Sequence, residues 1–75
     1  MRLKMLQRRK YLGLSQTQAA QEIGMLQANY SHIERGRHEP SLAQMKAIAA
    51  MLRVYPDISF FEDTKANKTT AKERR

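Results

Sequence analysis

The three glycines of the chain stand at positions 13, 24 and 36, and they cut the sequence between them into two short segments. In the first, Ser15-Gln16-Thr17-Gln18 fits a capping box, in which Ser15 and Gln18 satisfy each other's backbone donors. Leu14, just before the cap, is placed to pack on Ala19 as a hydrophobic staple. Ala19, Ala20 and Ile23 then form a narrow apolar stripe, small enough to let another helix approach closely, and Gly24 closes the helix. In the second segment a helix is predicted from about residue 27 to 35, with Gly36 behind it. At about 100° per residue, Gln27, Ala28, Ser31, His32 and Arg35 share one arc, and Asn29, Tyr30, Ile33 and Glu34 share the other. The second arc can pack inward, whereas the first has almost nothing to bury.

The flanks read as further helices. Residues 2–12 supply apolar Leu3, Met5, Leu6 and Leu12 among Arg and Lys, and Gly13 ends that helix. Residues 37–40 form a polar loop in which Pro40 disfavours helix for Glu39. Ser41-Leu42-Ala43-Gln44 is a second capping box, and Leu42, Met45, Ile48, Ala49 and Leu52 follow at helical spacing as expected core. Pro56 suits the first position of a short fifth helix whose apolar content is Ile58, Phe60 and Phe61. Residues 64–75 hold no large apolar side chain and read as a basic, disordered tail, which leaves residues 1–63 as the folded domain. A chain of 75 residues makes one small all-α domain with limited burial.

Several function classes are disfavoured. There is no cysteine, and the two histidines have no partners at ligand spacing, so neither disulfide, metal nor other cofactor is expected. Glu22, Glu34, Glu39 and Asp57 form no readable paired-carboxylate arrangement, and no glycine-rich phosphate loop or nucleophile motif is present. An enzyme is therefore not expected. No apolar run reaches the length of a membrane span, and the N-terminus, charged from Arg2 onward, lacks the apolar centre of a signal peptide. A soluble, cytoplasmic protein without membrane contact is the expectation.

The formal net charge of +7 points to nucleic acid or another anionic partner. Arg2, Lys4, Arg8, Arg9 and Lys10 all precede the first acid, Glu22. Basic residues thus lie on both sides of the two-helix unit, at Arg8, Arg9 and Lys10 before it and at Arg35 and Arg37 after it. Such residues neutralise phosphates while a polar arc between them reads bases. A glutamine can pair with adenine N6 and N7, and Ala28 can meet a thymine methyl group. Ser15 and Gln16 open a helix whose free amides favour a phosphate.

Leu14-Ser15-Gln16, Ala20, Ile23-Gly24, Ile33-Glu34-Arg35-Gly36 and Pro40-Ser41-Leu42 together resemble the helix-turn-helix domain of the phage repressor and Cro family over roughly residues 5–61. The resemblance implies a compact five-helix, lambda-repressor-like bundle that binds double-stranded DNA, usually as a homodimer. It implies that Gln27, Ala28, Ser31 and His32 read bases. It further implies phosphate contacts near Ser15, Gln16, Asn29, Arg35 and Arg37, and the basic residues before the unit put Arg8 in the same expected role. Gln16 matches a residue that also braces Gln27, and Arg9 and Glu34 match an internal ion pair. The chain departs from the family pattern at four places. Leu26 stands where a serine or threonine caps the recognition helix. Ala19 is smaller and Tyr30 larger than usual, which is expected to compensate. Arg53 replaces a helix-ending glycine, and Tyr55 replaces a polar cap. The expected function is a sequence-specific transcriptional regulator, most simply a repressor. The alternatives are an antitoxin or restriction-system controller, or a protein-interaction module, motivated by Leu26, Ile58, Phe60 and Phe61, that has lost DNA binding.

Overall fold

Serines cap two of the four α-helices among the described residues. The computed structural model describes residues 1–63, and the tail expected at 64–75 lies outside the described residues. Helix α1 spans Leu3–Tyr11, α2 Gln16–Glu22, α3 Gln27–Glu34 and α4 Leu42–Leu52. Ser15 and Ser41 form full capping boxes with Gln18 and Gln44 at the starts of α2 and α4. Each box satisfies two backbone donors that the helix start leaves open. No strand occurs among the described residues.

The fifth helix predicted from Pro56 is instead a single 3-10 turn, Ile58–Phe61. Asp57 is the reason, because its carboxylate accepts the Ser59 backbone N–H at 3.2 Å and starts the turn after the proline rather than at it. A turn this short, with i to i+3 bonding, does not present a continuous apolar face. Phe61 is buried and Phe60 half-buried, their rings edge to face at 5.2 Å, while Ile58 is 79% exposed. The polar cap that the family pattern has at position 55 is supplied here by Asp57.

The core comprises Met5, Ala19, Ala20, Tyr30, Ile33, Ile48, Ala49, Leu52 and Phe61. Leu12, Ile23, Met25, Met45, Met51, Val54 and Phe60 pack partly buried against it. Ala19 and Tyr30 are both fully buried in this cluster, the arrangement expected if the large ring fills space that the small alanine leaves. Leu42 does not join them and is 69% exposed. It is the first residue of α4 and overhangs the end of the core, which helical spacing cannot register.

Three arginines of the N-terminal segment hold the elements together. Arg2 is buried, with Nε donating to the Phe61 carbonyl at 2.9 Å and Nη1 to the Ile33 carbonyl at 2.8 Å. Its backbone N–H donates to the Glu34 carbonyl at 2.8 Å, and Nη2 lies 3.2 Å from the Glu39 carboxylate. One side chain thereby joins the start of α1, the end of α3 and the 3-10 turn. Arg8 donates from Nε to the Leu52 carbonyl at 2.8 Å and from Nη2 to the Arg53 carbonyl at 3.4 Å. A cation at a helix C-terminus satisfies open carbonyls and complements the helix dipole. Arg9 makes the third link, to Glu34 on α3.

Candidate nucleic-acid interface

The turn between α2 and α3 is built on Gly24, whose φ is +66°. A β-carbon there would meet nothing within 4 Å, so the demand for glycine comes from the backbone conformation alone. The N-cap position of α3 is Leu26, which makes no side-chain cap bond and is 72% exposed. An absent cap costs about 1 kcal/mol. The leucine points into solvent at the entrance to α3 rather than beneath it.

Behind α3 runs a polar chain that ends at the surface. The Arg9 guanidinium donates from Nε to Glu34 Oε2 at 2.9 Å and from Nη2 to Glu34 Oε1 at 3.1 Å. Arg9 Nη1 donates to the Leu14 carbonyl at 2.8 Å, tying α1 to the entrance of α2. Glu34 Oε1 also accepts from Gln16 Nε2 at 2.8 Å, and Gln16 Oε1 accepts from Gln27 Nε2 at 3.0 Å. Glu34 is 1% exposed, Gln16 intermediate and Gln27 exposed, so the chain leads from the core to the first residue of α3. The hydrogen-bonded Glu34 holds the Arg9 pKa above its ordinary value. The bond between Gln16 and Glu34 is absent from the sequence reading. Its signal is the acceptor capacity of an inward carboxylate, about four lone-pair sites, which one arginine does not exhaust.

Tyr30 lies against the same pair. Burial, and next the charge of Glu34, push its phenol pKa up, although no partner stands in full hydrogen-bonding geometry with the hydroxyl. The ring therefore serves chiefly as packing.

The outward arc differs from the predicted one at two residues, Ser31 and Asn29. Gln27, Ala28, Asn29 and Arg35 are exposed and His32 is half-buried, but Ser31 is only 9% exposed. Its short side chain rises little above the backbone, and on the wheel it stands next to Gln27, about 60° from the buried Glu34. Asn29, assigned to the inner arc by periodicity, faces out. The His32 Nδ1 atom is buried without a hydrogen-bond partner, and its ring meets His38 edge-on at 5.2 Å. Nε2 is thus the nitrogen left for a ligand.

Ser15 is exposed beside the start of α2, and its hydroxyl accepts from the Gln18 N–H. Arg35 and Arg37 are exposed just after α3, and their side chains make no hydrogen bond or ion pair among the described residues. Arg8 does not belong with them, since its guanidinium is engaged at the end of α4. No cluster of three or more potential metal ligands occurs among the described residues. No described helix is long and apolar enough to cross a membrane.

The geometry is thus a short helix with a polar outer face, set by a glycine turn against a second helix and flanked by free arginines. A helix-turn-helix family model, of the phage repressor and Cro type, matches residues 5–58, which include both helices and the turn. No curated protein and no solved structure matches the chain. The family match spans most of the sequence, and the chain belongs to the helix-turn-helix family of DNA-binding regulators.

Proposed function

We propose that the protein is a sequence-specific transcriptional repressor of the cytoplasm that binds double-stranded DNA as a homodimer, with α3 in the major groove. The observation that carries this reading is the exposed Gln27, held in place by Gln16, on a helix followed by the uncommitted Arg35 and Arg37. Gln27, Ala28 and His32 face base edges, and Ser31 lines the boundary beneath them. Ser15, Gln16, Asn29, Arg35 and Arg37 meet phosphates. Base edges supply sequence choice, and phosphates supply register and most of the salt-sensitive affinity. In a dimer the half-sites lie about 34 Å apart. The exposed Tyr55 and Ile58, close in sequence, offer apolar surface for the second protomer.

The test is duplex binding across a salt series. The logarithm of the association constant should fall with the logarithm of salt concentration at about −0.9 per neutralised phosphate. Absence of duplex binding at low salt would remove this reading. It would leave the protein-interaction module, which the exposed Leu26 beside α3 favours.

A further inference from the structure

We propose that Glu34 dictates, through Gln16, which way round Gln27 presents its amide, and so makes Gln27 a reader of adenine against guanine. The inference rests on the reading above, in which Gln27 faces a base edge. It follows from counting donors and acceptors along the chain.

Glu34 is paired with Arg9, and an ionised carboxylate only accepts hydrogen bonds. The Gln16 atom 2.8 Å from it must therefore be the Nε2 donor. That turns the Gln16 Oε1 acceptor toward Gln27, and the Gln27 atom 3.0 Å away must in turn be Nε2. Each amide is oriented by the charge behind it. If Glu34 were replaced by a group able to donate, both amides could rotate together with no bond lost.

The outward consequence is a fixed pattern. Gln27 Nε2 carries two hydrogens, and one is used on Gln16. What remains for a ligand is one N–H and a free Oε1. In the major groove adenine offers the N7 acceptor and the N6 donor, which matches that pair. Guanine offers two acceptors, N7 and O6, and requires two donors. A freely rotating glutamine can supply two N–H groups, but Gln27 held by Gln16 cannot. Glu34, buried and out of reach of any ligand, is then a positioning residue for base choice.

The test is binding-site selection from random duplex DNA, reading the adenine-to-guanine ratio at the base facing Gln27. That base is located by comparing the wild type with Gln27→Ala. The wild type should select adenine there. Gln16→Met cuts the relay while leaving the Arg9–Glu34 pair, and should lower the adenine-to-guanine ratio at that base by about tenfold. The paired change Arg9→Met/Glu34→Gln removes the charge without stranding its partner, and should lower the ratio as well. A ratio at one base is insensitive to an overall loss of affinity, so a merely structural role of these residues would not move it. Selection of guanine by the wild type, or an unchanged ratio in Gln16→Met, would overturn the relay while leaving α3 as the reading helix. A profile unaltered by Gln27→Ala would overturn the base-reading assignment and the relay with it.

Discussion

The arginines before the helix-turn-helix unit and those after it share a residue type and have opposite surroundings. Arg2, Arg8 and Arg9 turn their guanidinium groups to backbone carbonyls and to a buried carboxylate. Arg35 and Arg37 are exposed and make no side-chain bond among the described residues. The first set closes the fold around α1, and the second is free to meet an anion. The comparison shows why a net charge of +7 overstates the charge available to DNA. A guanidinium presents donors in a fork, so one side chain can satisfy two carbonyls from different elements. In a domain with a small apolar core, that use of arginine supplies long-range ties.

The contrast can be broken most severely at Arg9. Arg9→Met should destabilise the fold by about 3–5 kcal/mol, because it leaves the Glu34 carboxylate buried and unpaired. Denaturant unfolding would register this, and an unchanged midpoint would show that the pair is not a structural tie. Arg2→Met should cost about 1–3 kcal/mol by orphaning the Ile33 and Phe61 carbonyls. Arg8→Ala should cost about 1 kcal/mol, the loss of a half-buried bond at the end of α4. At Arg53 the effect should reverse. Its φ of +62° is unfavourable for a residue with a β-carbon, and Arg8 uses only its carbonyl. Arg53→Gly should therefore raise stability by about 0.5–1 kcal/mol, seen as a higher melting temperature, with the Arg8 bond intact.

Much of the fold was legible because its signals are local. Both capping boxes lie within four consecutive residues, and Gly24 marks its turn by its own backbone preference. The inward position of Arg2 was not legible, since its acceptors lie 31 and 59 residues along the chain. Its place in a basic run instead counted it with the charge offered to an anionic partner. Periodicity misplaced Ser31, Asn29 and Leu42 for a related reason. A helical wheel treats side chains as equal in length and helices as endless, whereas Ser31 is short and Leu42 overhangs a helix end. The fifth helix failed on local chemistry, because Asp57 competes with Pro56 for the start of the turn. The positions of Gln27, Ala28 and His32 on the outer face were readable from spacing. The bond that joins Gln16 to Glu34 depends on the packing of α2 against α3.

The most direct test of this division of roles is to measure melting temperature and the salt slope of duplex binding together for Arg8→Ala and Arg37→Ala. Arg8→Ala should lower the melting temperature and leave the slope unchanged. Arg37→Ala should leave the melting temperature unchanged and make the slope shallower by about 0.9, the loss of one phosphate contact. The opposite pattern, with Arg8→Ala flattening the slope and Arg37→Ala lowering the melting temperature, would contradict it.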